Sequence, residues 1–278
     1  MFNTQIAKAK INLCLHVTGQ NTDGYHLLDS LVVFADCGDE LTFKRNQNLE
    51  IILDGRFSKD LNSIPISENI IFNAAKVLDL SEGAEIFLRK NLPVSAGIGG
   101  GSADAAATLR GLAQLWNTSL PIDNGLALGA DVPVCIKSTN QRMQGIGEIL
   151  TDIEIFPKLS AVLINSGDKV STLRIFKTLK SKYNQDIGSL PKNKLSFIET
   201  IHFLSNLRND LENPAIDLVP NIKNVLDVLN SCGSELSRMS GSGGTCFGVF
   251  QSFELAQKAA KKISLENSKW WVQPVIMG

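Results

Sequence analysis

The chain has 278 residues, 44% of them hydrophobic and 20% charged, a balance that fits one large or two ordinary globular domains. With 27 basic and 28 acidic residues the formal charge is −1, which excludes a global attraction for nucleic acid or an anionic membrane. No apolar run approaches the roughly 18 residues of a membrane span, and Met1-Phe2-Asn3-Thr4-Gln5-Ile6 lacks the basic-then-apolar layout of a signal peptide, so a cytoplasmic protein is expected.

Residues 6–17 alternate, with Ala9, Ile11, Leu13, Leu15 and Val17 on one face and Lys8, Lys10, Asn12 and Cys14 on the other. Period two predicts a strand with one apolar and one polar face. Residues 18–24 predict a turn. Strand-like runs follow at 25–35, 40–44 and 49–53, the first two separated by Cys37-Gly38-Asp39. Four strands with tight connections predict a largely antiparallel opening. The period then changes. Ile70, Ile71, Ala74, Ala75 and Leu78 mark one face of a helix, with Ser67 or Asn69 as its cap and Ser81-Glu82-Gly83 as its stop. A strand at 84–89 feeds the stretch Pro93-Val94-Ser95-Ala96-Gly97-Ile98-Gly99-Gly100-Gly101-Ser102-Ala103-Asp104, and a helix bearing Ala105, Leu109, Leu112, Ala113 and Trp116 leaves it.

Residues 117–124 are loop-like, and Gly129-Ala130-Asp131-Val132-Pro133 turns before an apolar run at 134–136. Gln144-Gly145-Ile146-Gly147-Glu148 is a further turn. The pattern restarts near Thr151-Asp152, which places a boundary between domains 1–152 and 153–278. Beyond it come a strand at 161–165, a helix capped by Ser171 with Leu173, Phe176 and Leu179, and helices at 196–206 and 219–231, the latter closed by Cys232-Gly233. Strands at 235–239 and 245–250 flank a second glycine loop, Ser240-Gly241-Ser242-Gly243-Gly244. A helix near 253–264 and a strand near 269–276 follow. The second half thus predicts a small α+β arrangement. The five cysteines form no Cys-x-x-Cys pair and sit among apolar neighbours, and the three histidines have no helical spacing. Buried thiols and no protein-bound zinc are expected.

The chemistry starts from the first glycine loop. Glycines admit close backbone approach, and a helix starting behind them points free N–H groups and its positive dipole end at the loop. That arrangement suits phosphate, although a plain glycine turn before a buried helix has the same sequence. A Walker A loop is excluded because Gly101-Ser102-Ala103 contains no lysine. A Rossmann loop would follow the first strand. The Ser102 hydroxyl could meet a phosphate or a phosphate-bound Mg²⁺, or cap the helix. Lys10 alone reads as a solvated strand lysine, and Asp131 alone as a cap or turn residue. Together they make a phosphoryl-transfer pair: the carboxylate takes the acceptor's proton and the lysine offsets charge. Tyr25-His26 either stacks on a planar ligand or starts a strand, and Phe176 is core by default. Ser240 to Gly244 is either a hairpin turn or a second part of a phosphate site.

Lys8-Ala9-Lys10-Ile11-Asn12-Leu13, Asp23-Gly24-Tyr25-His26, the stretch Pro93 to Ala106, Leu128-Gly129-Ala130-Asp131-Val132-Pro133 and the stretch Met239 to Gly248 together resemble the GHMP kinase superfamily, in its order and over nearly the whole chain. Lys10, Asn12 and Gly24-Tyr25-His26 resemble the branch whose acceptor is a cytidine diphosphate-linked methylerythritol of the non-mevalonate isoprenoid route. The resemblance implies an α+β, two-domain GHMP kinase fold. Its N-terminal domain would be like ribosomal protein S5 domain 2, its C-terminal domain ferredoxin-like, and the substrate cleft would lie between them. It implies an ATP-dependent phosphotransferase using Mg²⁺, with Asp131 as base and Lys10 its partner. Pro93, Val94, Ser95, Ala96, Gly97, Ile98, Gly99, Gly100, Gly101, Ser102 and Ala103 would wrap the ATP phosphates, with Asn69 near adenine. Tyr25 and Phe176 would sandwich cytosine, while Asn12, His26 and Thr172 hydrogen-bond the acceptor. A monomer or weak homodimer handling small molecules, with no nucleic acid or membrane partner, is expected. Ala103 stands where the superfamily more often has serine, and residues 117–128 are shorter than its pattern. A GHMP kinase for homoserine or mevalonate, or a silent nucleotide-binding module, are the alternatives.

Overall fold

One strand, β1 (Asn3–Gln20), opens the chain in this computed structural model, which describes residues 3–62, 64–78 and 82–278. Met1 and Phe2 of the opening stretch and Ser81 of the expected helix stop lie outside the described residues. Most of the polar face predicted for β1 is not solvated: Lys8 is exposed, but Lys10, Asn12 and Cys14 are buried. The next two runs form a single strand, β2 (His26–Asn46), rather than two strands with a break at residues 37–39. Gly38 explains the continuity. A Cβ there would lie 2.4 Å from the Ala7 carbonyl oxygen, so this residue lets β2 pass close under β1 without turning.

The chain divides into two compact units, each built from separated stretches. The first takes Met1–Lys10, Cys37–Val94 and Gly99–Ser138. The chain therefore leaves it for the last time at Ser138, ahead of the boundary expected at 152. In this unit the end of β2 pairs antiparallel with β4 (Gly83–Arg89), Glu40 opposite Arg89. β3 (Glu50–Asp54) runs parallel to β4, which departs from the antiparallel opening expected. Three helices belong to this unit: α1 (Ile70–Val77), capped by the Asn69 side chain as predicted, α2 (Gly100–Trp116) and α3 (Val132–Lys137). Leu41, Phe43, Ile86 and Leu88 of the strands and Ile71, Ala74, Leu109 and Leu112 of the helices are buried. Each such side chain contributes about 1.5–3 kcal/mol on leaving water. The buried side of α2 combines small residues with Leu109, Leu112 and Trp116, and Gly111 sits so close to Phe43 that a Cβ would fall 2.2 Å from the ring.

The second unit takes Ile11–Asp36, Ser95–Ile98 and Thr139–Gly278. Here the start of β2 pairs antiparallel with β5 (Gln141–Gly145), and β5 with β6 (Ile149–Asp152), through the predicted turn at 145–148. β10 (Trp271–Met277), β7 (Leu159–Asn165), β9 (Thr245–Phe250) and β8 (Leu236–Met239) follow one another in antiparallel register. Helices α4 (Thr172–Thr178), α5 (Phe197–Ser205), α6 (Glu212–Leu218), α7 (Asn221–Ser231) and α8 (Phe253–Glu266) also belong to it. A core of Val162, Ile164, Ile175, Leu229, Phe250 and Ile263 lies beneath them. Among the described residues no helix is long and apolar enough to cross a membrane.

Candidate active site

The phosphate-loop candidate is carried by both units and is described in each. In the first unit, Gly99 (φ 64°) precedes α2, and the first intrahelical bond runs from Ala103 N–H to the Gly99 carbonyl at 2.7 Å. The N–H groups of Gly100, Gly101 and Ser102 thus have no acceptor within the helix, at its positive end. A Cβ built at Gly101 would meet nothing within 4 Å, so the backbone here is open to a ligand. Beside this helix start lies the pair expected from sequence: Lys10 Nζ is 2.7 Å from Asp131 Oδ2. Lys10 is almost wholly buried, whereas the Asp131 side chain keeps about a third of its surface exposed. The solvated reading of Lys10 therefore fails. Asp131 occupies the residue before α3 but makes no capping hydrogen bond, so its carboxylate is committed to the lysine. Gly99 is packed on the Lys10 stem, 3.1 Å from where a Cβ would stand to Lys10 Cβ. Burial, then the Asp131 charge, pushes the neighbouring Cys135 thiol up to about 12.

Asn69 is the cap of α1, where its side chain accepts the Ile71 N–H at 2.9 Å. Behind the helix start sits a cluster sequence reasoning missed. Lys90 donates to Asp39 and, at 2.7 Å, to Asp104, all three buried. Burial works against the Lys90 ammonium, but its two carboxylates raise its pKa. Burial also raises the Asp104 carboxyl to about 7. The signal was present, since Asp104 ends the glycine motif, but Lys90 lies 14 residues from it and Asp39 a further 51 residues from Lys90.

In the second unit, loop residues Ser95 to Ile98 rest on the second glycine loop. Ser240 Oγ donates to the Gly97 carbonyl at 3.0 Å and accepts the Asn12 N–H at 3.1 Å. A Cβ at Gly97 (φ 73°) would lie 2.2 Å from the Gly243 carbonyl oxygen. Asn12 Nδ2 donates to Ser30 Oγ at 2.8 Å, while Asn12 Oδ1 is buried with no partner among the described residues. His26 stacks on Phe176, centroids 4.7 Å apart and planes at 23°, and its Nε2 is likewise buried without a partner. Burial, then Lys182, lowers the His26 pKa. An orphaned buried polar atom costs about 1–3 kcal/mol, and two of them among the expected acceptor-binding residues are what a polar ligand would satisfy. Thr172 Oγ1 lies 2.6 Å from Ser242 Oγ. Tyr25 is 64% exposed, and the ring stacked on Phe176 in this structure is His26. Ser30, Ser240 and Ser242 were not singled out as site residues; only the glycine-rich setting of the last two gave a signal.

Two stretches of the sequence match two family models: GHMP kinases N terminal domain over residues 69–144, and GHMP kinases C terminal over residues 195–269. A relative from Ruegeria pomeroyi named 4-diphosphocytidyl-2-C-methyl-D-erythritol kinase is 47% identical over 269 residues, covering 95% of both chains. One of the same name from Rhizobium etli is 44% identical over 279 residues, covering 97% of this chain and 93% of its own. A crystal structure of 4-(cytidine 5'-diphospho)-2C-methyl-D-erythritol kinase matches at TM-score 0.80 and 27% identity over 99% of both chains. A homoserine kinase from Cytophaga hutchinsonii, at TM-score 0.65 and 15% identity over 100% of this chain and 94% of its own, shares the fold alone.

Proposed function

The chain belongs to the GHMP kinase family, and from that premise we propose that it transfers the γ-phosphoryl group of ATP to the 2-hydroxyl of 4-diphosphocytidyl-2-C-methyl-D-erythritol, in the non-mevalonate route to isoprenoid precursors. The observation that carries this reading is the buried Lys10–Asp131 pair beside the open start of α2. Asp131 takes the proton of the acceptor hydroxyl as its oxygen bonds to the γ-phosphorus and the bond to the ADP oxygen breaks. Lys10 orients the carboxylate and offsets charge on the transferring group. The free N–H groups at Gly100, Gly101 and Ser102 hold phosphate oxygens, within a turn formed by residues 93–103. In this reading Asn69 serves the adenine side.

The donor set suits a cation that arrives on phosphate. Ser102 offers one neutral oxygen, and among the described residues no group of three or more His, Cys, Asp or Glu is arranged around a metal. Mg²⁺ bound there would neutralise developing phosphate charge. For the acceptor, Asn12 Oδ1 and His26 Nε2 supply unmatched polar atoms, Thr172 a hydroxyl, and Phe176 with Tyr25 the rings for cytosine. Residues 1–152 would carry the phosphate turn and the proton-transfer pair, and residues 153–278 Thr172 and Phe176. We place the protein in the cytoplasm as a monomer or weak homodimer; its net charge of −1 supports no nucleic-acid partner.

An assay of ADP release over a panel of alcohols tests the reading. Turnover is expected with the cytidine diphosphate-linked acceptor and not with its base-free tetritol phosphate, homoserine or mevalonate. Turnover confined to homoserine or mevalonate, or with none of the panel, overturns it.

A further inference from the structure

We propose that Asp39, Lys90 and Asp104 form a positioning clamp that joins the strand entering the phosphate turn to the helix leaving it, and so sets the free N–H groups of α2 for the ATP phosphates. This rests on the reading of that turn as the ATP site. At the entry, one Asp39 carboxylate oxygen accepts the N–H groups of Asn91 at 2.6 Å and Leu92 at 2.8 Å, immediately before Pro93. Its other oxygen takes Lys90 Nζ. At the exit, the same ammonium donates to Asp104 Oδ2 at 2.7 Å, at the start of the second turn of α2. The two ends of the turn are thereby held by one cation.

Stability does not account for this arrangement. All three side chains are buried, and two carboxylates against one ammonium leave an excess negative charge inside the fold. Buried ion clusters are commonly matched or surpassed in stability by apolar side chains of the same volume. What apolar residues could not do is accept two named backbone N–H groups and reach across to α2. The clamp also sits close to the helix start: a Cβ on Gly100 would stand 3.3 Å from Lys90 Nζ, so the ammonium lies directly under the first helical residue. The clamp is not saturated. Asp104 Oδ1 has no hydrogen-bond partner among the described residues, so the Asp104 side chain is tied into the clamp through its other oxygen, which accepts from Lys90.

Titration of a non-hydrolysable ATP analogue, with steady-state constants for ATP and acceptor, tests the clamp. Asp104→Ala is expected to weaken analogue binding and raise KM for ATP about tenfold or more, leaving KM for the acceptor within about twofold. Asp104→Asn, which keeps an oxygen for Lys90, recovers most of that loss. Asp104→Glu, which lengthens the tie but keeps the charge, weakens the analogue with cooperative melting retained, and serves if the alanine variant does not fold. Analogue affinity within twofold of the parent in Asp104→Ala or Asp104→Glu overturns the clamp, as does equal weakening of ATP and acceptor. The titration contains no acceptor, so a wrong acceptor assignment leaves it intact. A parent that binds no ATP analogue overturns the ATP reading and the clamp with it.

Discussion

Lys10 Nζ reaches Asp131 Oδ2 across 2.7 Å, with the lysine sealed in the fold and the aspartate open over a third of its side chain. The asymmetry divides the labour. The cation is fixed by packing, while the carboxylate can meet a reactant. Asp131→Asn is therefore expected to lower kcat by about 10²–10⁴-fold, the range of a lost general base, with a cooperative melt retained. Near-normal turnover in the purified variant would remove Asp131 from the chemistry.

Phe176 separates acceptor from donor. Stacking on a base contributes about 1–3 kcal/mol, so Phe176→Ala should weaken the cytidine-bearing acceptor by roughly 5- to 150-fold. ATP affinity should stay as it was. Equal losses in two calorimetric titrations would mean that the ring serves only the packing beneath α4.

The glycines at 97 and 101 are expected to respond oppositely. Gly97→Ala drives a methyl into the Gly243 carbonyl at a positive φ, and should cost at least about 1–3 kcal/mol of stability. Gly101→Ala meets no atom and gains helix propensity worth up to about 1 kcal/mol, so the fold should be unharmed or firmer. Its methyl nevertheless intrudes where phosphate is proposed to sit, and KM for ATP should rise. Urea midpoints and ATP kinetics on the two variants check both halves. An unchanged KM in Gly101→Ala would place the phosphates elsewhere.

Stability should also fall with mild acid. His16 is buried, its Nε2 accepting the Arg208 N–H at 3.2 Å while Nδ1 meets the Gln185 carbonyl at 3.1 Å. Burial, then Arg208, lowers its pKa, and that of His26 moves the same way. A histidine held neutral in the fold contributes fully above its unfolded pKa near 6.5, and loses that contribution as pH drops toward the lower folded value. The difference in urea midpoint between the parent and His16→Gln isolates this contribution, and should hold from pH 8 to about 7 and shift against the parent towards pH 5.5. A difference that does not change with pH would assign the effect to other groups.

Much of this was legible in sequence because it depends on local pattern. Asn69 as a cap, the helix behind the glycines and the strand at 245–250 follow from turn chemistry and period. The glycine motif and the Lys10–Asp131 pair could be read from residue type and order. What escaped depends on distant partners. β2 runs through Cys37-Gly38-Asp39 because β1 lies against it, which no window of β2 contains. Asp39 looked like a turn residue for the same reason, its partners being Lys90 and two backbone N–H groups some fifty residues on. Val132 to Lys137 is too short an apolar run for period to type, and α6 carries one buried residue, Ala215, too little to leave a stripe.

The contact between Gly111 and Phe43 makes the reactive end of α2 answerable to a residue far from any reactant. At 1.5 Å per residue, position 111 lies roughly 16 Å down the helix from Gly100. The helix behaves as a lever, and the phenylalanine ring is its fulcrum. A methyl at position 111 would lift the rod and swing the opposite tip, so a hunt for inactivating substitutions should find this buried glycine among its hits and mistake it for a folding defect.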